Sequence, residues 1–322
     1  MQNKALADIF YKEWNRGVEK FLIHTSGSTG EPKPIILLKK WMIWSAQQTA
    51  QYLKPNTNDK ILCCLPLNKV GGMMQLVRGL VWQVEIQIEE PSSNPLLVDT
   101  DCTIVSLTPF QMYYILQDAA SIKRLRHFRE VVIGGSDISE SIIQQINSLD
   151  FKQTNFRHSY GMTETYAHIA LKTINGSQKS YWFTPFSEAE ISVNEQQCAQ
   201  IKVPFEDKIL QTNDVIELNE VGGFRVLGRA DNIINTGGLK LQPEIIEKAI
   251  RDYYNLSETF YISSQKDEIL GQRLILITEP NFKFNLNDLG FLKTISPYAV
   301  PREIVVVDKL KINEGGKVAR KK

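Results

Sequence analysis

Thr25-Ser26-Gly27-Ser28-Thr29-Gly30-Glu31-Pro32-Lys33 follows a short apolar run, Phe21-Leu22-Ile23. The apolar run reads as a strand, and the stretch after it as a loop of small, hydroxyl-bearing residues ending in a lysine. Glycine carries no Cβ, so backbone N–H groups near Gly27 and Gly30 can approach a phosphate closely. Thr25, Ser26, Ser28 and Thr29 supply hydroxyls, and Lys33 supplies positive charge. Such a loop can grip a polyphosphate. The same composition also suits a plain surface turn, and what lies downstream decides between them. The loop is not a Walker loop: Pro32 stands five residues after Gly27, and Lys33 is followed by Pro34. Nor is there a G-x-G-x-x-G here to open a dinucleotide-binding helix.

The chain has 322 residues, enough to bury a real core and to form about two domains. A net charge of +1 gives no bulk electrostatic reason to bind nucleic acid or acidic lipid. Charges interrupt every hydrophobic run, so neither a signal peptide nor a membrane insertion is expected. Cys63, Cys64, Cys102 and Cys198 show no C-x-x-C pattern, which points to buried free thiols in a cytoplasmic protein. His24, His127, His158 and His168 have no helical metal spacing, so no zinc site is expected; His24, before the phosphate loop, and His158, before Tyr160, could touch substrate, although a structural histidine at a strand end is the plainer reading of each.

Strand-like runs at 61–65, 103–105 and 131–133 alternate with helix-length segments at 72–84, 109–117 and 138–149. That alternation is the mark of an α/β layer architecture with helices packed on a sheet. From about residue 188 the texture becomes short alternating segments, at 189–193, 199–203, 209–212 and 224–227, which suggest hairpins or a small barrel. Beyond residue 229 come a helix at 243–253, strands at 260–262 and 274–278, a helix near 286–292 and a strand at 303–307. The expected fold is α/β: a large domain of mixed sheets with packed helices and a small β-rich part over residues 1–228, then a small α+β domain over 229–322.

Three further segments carry chemistry. Tyr160-Gly161-Met162-Thr163-Glu164-Thr165 follows the strand-like run 154–157 and pairs a flat aromatic face with close backbone access. Thr163 could donate to a phosphate oxygen, and Glu164 is a hard ligand suited to Mg²⁺. A tight turn with a surface glutamate reads equally well. Asp214 could accept both ribose hydroxyls and Arg229 could bridge ribose and phosphate, although a hairpin turn residue is the plain alternative for Asp214. Lys317 sits in the glycine turn Asn313-Glu314-Gly315-Gly316-Lys317, idle unless a small domain delivers it to the phosphate loop.

Taken in order, these segments resemble the adenylate-forming superfamily of acyl-CoA synthetases, peptide-synthetase adenylation domains and luciferases. The resemblance covers residues 22–320 and implies ATP, Mg²⁺ and CoA as cofactors and co-substrates, with a small-molecule carboxylic acid as substrate. It implies that the loop from Ser26 to Lys33 binds the β- and γ-phosphates. Gly134-Gly135-Ser136, Tyr160 and Gly161 would line the adenine and acyl pocket, Thr163 would touch the α-phosphate and Glu164 would hold Mg²⁺. Asp214 and Arg229 would hold the ribose, Asp231 would mark the hinge to a mobile C-terminal domain, and Lys317 would assist adenylation. Gly237-Gly238 matches the loop that faces the thiol step.

The acid is read from Pro66-Leu67-Asn68-Lys69-Val70-Gly71-Gly72-Met73-Met74-Gln75-Leu76-Val77-Arg78. Apolar residues cover most of this helix, so Arg78 should be buried and in need of an anion. That anion could be an internal carboxylate, water reached by snorkelling, or a carboxylate of the substrate. The segment is similar to the o-succinylbenzoate–CoA ligase branch of the family, which acts in menaquinone biosynthesis and where an arginine here binds a diacid. Gly72 is a further acid-pocket candidate; Asn68-Lys69 stands where relatives carry an aromatic and a histidine, and Lys69 reads equally as a second cation for the acid or as a solvated loop residue. Relatives also carry a longer region before the phosphate loop, so a shortened enzyme, possible as a homodimer, is expected.

Overall fold

The apolar runs at 61–64, 104–107 and 130–133 are buried on both faces, as a central parallel sheet requires. The computed structural model describes residues 2–24, 34–254, 260–280, 284–310 and 320. The chain divides into two compact units. The first comprises Met1–Ile138, Ile142–Glu190 and Val203–Asp207; the second comprises Ser139–Ser141, Ile191–Lys202 and Lys208–Lys322.

The first stretch of chain forms α1 (Gln2–Asn15), β1 (Lys20–His24), β2 (Pro34–Leu38), α2 (Lys39–Leu53), β3 (Lys60–Cys63) and α3 (Val70–Trp82). Then come β4 (Glu85–Ile88), β5 (Ile104–Leu107), α4 (Pro109–Leu116), α5 (Ala119–Leu125), β6 (Glu130–Ile133) and α6 (Glu140–Ser148). β7 (Asn155–Tyr160), β8 (Ala170–Thr173) and β9 (Thr184–Pro185) complete the series. Among the described residues seven strands form one sheet in the order β4-β3-β5-β6-β7-β8-β9. The strands from β4 to β7 run parallel, and β8 and β9 are antiparallel at the far edge.

Side chains along β3 alternate between faces. Leu62 and Cys64 join Val105, Val131, Ile133, Met112 and Ile142 on one side. Cys63 joins Met42, Met74, Val77 and Phe10 on the other. The adjacent cysteines are thus two core residues on opposite faces, each a free thiol. Each fully buried aliphatic side chain contributes about 1.5–3 kcal/mol. At the N-terminal ends of the strands Glu130 is buried and receives Arg157 at 2.9 Å and Arg129 at 3.2 Å. Burial opposes ionisation of the adjacent Asp59, yet hydrogen bonds from Arg129 and Thr103 outweigh it and hold its carboxyl below the ordinary value.

The second stretch begins with β10 (Glu190–Val193), β11 (Cys198–Lys202), β12 (Leu210–Leu218) and β13 (Phe224–Arg229), which form one sheet in that order. β14 (Ile234–Thr236) and β15 (Leu239–Leu241) make a hairpin, and α7 (Pro243–Tyr254) follows. β16 (Phe260–Asp267) and β17 (Gly271–Thr278) pair antiparallel, and β18 (Glu303–Val306) joins β17 in parallel. Ile246 and Ile250 of α7 bury against Phe260, Ile262 and Leu276 of this sheet.

The α/β class expected from the sequence is present. The segment read as a helix near 286–292 is a 3₁₀ helix, Leu286–Thr294. Asn285 caps it by accepting from the Asn287 N–H, a local bond that favours the tighter turn. The helices α1 and α2 were not anticipated, although Gly17 follows the first and Lys54-Pro55 the second. No helix among the described residues is long and apolar enough to cross a membrane.

Candidate active site

The carboxyl ends of parallel strands are where a doubly wound sheet leaves room for a ligand. β6 ends at Ile133 and β7 at Tyr160, and the two are neighbours with Ile133 opposite His158. Gly134-Gly135-Ser136 therefore lies beside Ser159 and Tyr160. A Cβ on Gly134 would stand 2.1 Å from Ser159 Oγ, so a side chain there would have to displace that hydroxyl. Gly135 has φ +86°, a conformation that L side chains rarely adopt. Ser136 places its carbonyl 3.3 Å from His158 Nε2. Burial, ahead of the charge of Lys172, pushes the His158 imidazole down to about 4, so it is neutral at pH 7. The Tyr160 ring lies 5.9 Å from the Phe183 ring.

After Tyr160 the chain turns back on itself. A Cβ on Gly161 would meet Ala167 O at 1.9 Å and His168 Cα at 2.5 Å, so the strand end packs directly on the returning backbone. Thr163–Thr165 form one 3₁₀ turn. The buried Thr165 hydroxyl accepts from the Met162 N–H at 2.9 Å and fixes that turn. Thr163 is half-buried and Glu164 exposed on it. Tyr166 accepts from the Leu38 N–H at 3.2 Å, and its own carbonyl accepts from Ser45 at 2.9 Å. Those two bonds tie the turn to β2 and α2.

Arg78, on α3, is 3% exposed, so it does not reach water. Among the described residues no carboxylate pairs with it. Nη2 lies 3.4 Å from Nδ1 and 3.5 Å from Nε2 of His168, and Nε has no partner. Burial pushes the Arg78 guanidinium down to about 10, which leaves it charged at neutral pH. Burial and then the charge of Arg78 hold the His168 imidazole well below its ordinary value. The nearby Cys63 thiol is pushed up to about 12 by burial and stays neutral. Of the alternatives open for Arg78, two are thereby removed among the described residues: snorkelling and an internal acid.

Gly72 sits on α3 one turn after Lys69, which precedes the first helical residue. A Cβ on Gly72 would meet Pro66 O at 2.2 Å, so the helix starts hard against the Leu65-Pro66 backbone. Asn3, buried in α1, holds the same loop by donating to Leu65 O at 3.0 Å and accepting from the Leu67 N–H at 3.2 Å. Asn3 and Thr49 escaped the sequence reading, and His168 is weighed there only as a metal ligand. No local pattern marks them, because their partners lie far along the chain.

In the second unit, β12 and β13 set Asp214 opposite Arg229. Arg229 Nη1 donates to Asp214 at 3.1 Å, and its Nε and Nη2 donate to Asp231 at 2.9 and 3.0 Å. Donation to the Asp231 carboxylate is the main reason the Arg229 guanidinium lies above its ordinary value. Thr25, Ser26, Gly27, Ser28, Thr29, Gly30, Lys33 and Lys317 lie outside the described residues. Glu164 offers one exposed carboxylate. That suits Mg²⁺ arriving with a nucleotide, which takes one or two protein carboxylates and keeps phosphate and water ligands.

Comparison with known proteins converges on one family. A 2-succinylbenzoate–CoA ligase of Listeria monocytogenes is 24% identical, over 98% of this chain and 73% of its own length. The solved o-succinylbenzoate CoA synthetase of Bacillus subtilis, in complex with its acyl-adenylate intermediate, shares the fold. Its TM-score is 0.76 at 20% identity, over 93% of this chain and 67% of that one. An acyl-CoA synthetase (AMP-forming)/AMP-acid ligase II-like protein from Dyadobacter fermentans is 32% identical, with a TM-score of 0.67, over 98% of this chain and 91% of its own. The model of the AMP-binding enzyme family matches residues 20–200, more than half of the chain, and the chain belongs to that family.

Proposed function

We propose that this protein is an ATP-dependent acid–CoA ligase whose acid is o-succinylbenzoate, acting in menaquinone biosynthesis. The observation that carries the choice of acid is Arg78, a buried guanidinium whose neighbours among the described residues are all neutral. Burying a charge in this way costs several kcal/mol unless an anion joins it. A substrate with a second carboxylate supplies that anion, and an acid with one carboxylate, spent at the reaction centre, does not.

The reaction brings a carboxylate against the α-phosphate, two anions together. Thr163 and the backbone at Gly134-Gly135 and Gly161 would orient the nucleotide beside Tyr160, and Asp214 and Arg229 would take the ribose. Mg²⁺ on Glu164 would neutralise phosphate charge when bound. Lys33 and Lys317 would add positive charge where negative charge grows, each such group being worth ~10²–10³ in rate. Lys69 would add a second cation near the acid. The acyl-adenylate would then pass its acyl group to the CoA thiol.

Pyrophosphate release across a panel of mono- and dicarboxylic acids tests the reading. o-Succinylbenzoate should be preferred over benzoylpropionate, the same skeleton without the ring carboxylate. Arg78→Leu should abolish that preference by raising KM for the diacid about tenfold or more. An equal effect on both acids would remove the diacid from the proposal. Tight ATP binding with no release from any acid would favour a non-catalytic nucleotide-binding protein.

A further inference from the structure

The buried charge on Arg78 has a specific neighbour. His168 faces it from the segment that follows the Thr163–Thr165 turn, and the far side of the ring meets Thr49 on α2. Thr49 Oγ1 donates its hydrogen to Ser45 O at 2.9 Å, within the helix. Its lone pairs therefore face His168 Nε2 at 3.0 Å, and Nε2 must carry the ring proton. Arg78 Nη2 stands 3.4 Å from Nδ1 and 3.5 Å from Nε2, so the guanidinium lies against the ring between its two nitrogens rather than on the Nδ1 lone pair. The ring makes an edge contact with Phe186, centroids 5.7 Å apart, which adds no charge. Arg78 is thus packed against a neutral ring that holds its place and cannot cancel its charge.

We infer that His168 is a positioning residue for acid selection: fixed by Thr49 in one neutral tautomer, it aims the Arg78 guanidinium while leaving its charge for the second carboxylate of the substrate. The inference rests on the diacid reading of Arg78. An aspartate or glutamate at position 168 would orient Arg78 equally well and neutralise it. A histidine held in this tautomer performs the first task without the second.

The test compares KM and kcat for o-succinylbenzoate and for benzoylpropionate. His168→Glu should raise KM for the diacid about tenfold or more while kcat and the monoacid KM move less than about threefold. His168→Gln, neutral and of similar reach, should keep the diacid KM within about threefold. Thr49→Val removes the partner that fixes the ring and frees it to turn. It should raise the diacid KM selectively, and it decides the matter if His168→Glu fails to fold. Equal losses for both acids in these variants, or an unchanged diacid KM in both His168→Glu and Thr49→Val, would overturn the role of His168. Arg78→Leu separates the two readings. If it treats the acids alike, the diacid reading falls and this one with it. If it distinguishes them while the His168 and Thr49 variants do not, His168 alone is wrongly assigned.

Discussion

At the scale of single residues, glycines with a crowded Cβ position set how closely neighbouring backbones pack. Gly72 and Gly71 are neighbours on α3 with opposite surroundings. A Cβ on Gly72 would stand 2.2 Å from a backbone carbonyl that cannot yield, whereas one on Gly71 would meet a side-chain carbon at an ordinary 3.6 Å. Gly72→Ala should destabilise the protein by about 1–3 kcal/mol through forced backbone movement. Gly71→Ala should be neutral or stabilising by up to about 1 kcal/mol, because alanine favours helix. Urea unfolding of the two variants side by side checks this; equal midpoints would contradict the close approach of α3 to Pro66. The residue pattern alone suggested a buried Arg78. It did not identify the described neighbours, none of which carries a compensating charge.

At the scale of elements, the turn after β7 is the part that would carry the nucleotide chemistry of the proposed reaction. Thr163 and Glu164 ride on a single 3₁₀ turn secured by the buried Thr165 hydroxyl. Replacing that hydroxyl by a methyl leaves the Met162 N–H without its partner, at a cost of about 1–3 kcal/mol. Thr165→Val should therefore raise KM for MgATP more than KM for the acid, and Thr165→Ser should restore it. A Thr165→Val enzyme with unchanged KM for MgATP would detach the turn from nucleotide binding. This turn was readable as a motif from Tyr160-Gly161-Met162-Thr163-Glu164. Its attachment to β2 and α2 through Tyr166 was not, since Leu38 lies 128 positions and Ser45 121 positions away.

At the scale of the whole molecule, two histidines buried in the neutral form set how the fold responds to acid. The unfolded chain binds a proton at each near the ordinary value of 6.5, whereas folded His158 does so only near 4 and folded His168 well below its ordinary value. Their share of stability is intact above about pH 6.5 and is lost as pH falls towards 4, because the unfolded state takes up protons first. Around His158 stand Asp137, which favours its protonation, and Lys172, which opposes it. Unfolding midpoints from pH 7.5 to pH 4.5 should fall, and less steeply in His158→Gln; identical slopes would place His158 in contact with water. Catalysis offers a second test at this scale. Lys317→Ala should slow acyl-adenylate formation by ~10²–10³ yet spare thioester formation from supplied acyl-adenylate. Equal loss of both half-reactions would refute its assignment to the first.

The sequence by itself determined the α/β class, the order of the chemical segments and the family resemblance. Those features are local: a period of two or of a helical turn, glycines beside hydroxyls, an aromatic before Gly-Met-Thr-Glu. Tertiary structure alone decided that Arg78 is sealed from water and faced by neutral groups. Its contact with His168 spans 90 positions, and the contact that sets the tautomer of His168 spans 119. Whether a charge is compensated depends on what packing brings within a few ångströms, and no window of neighbouring residues contains that information.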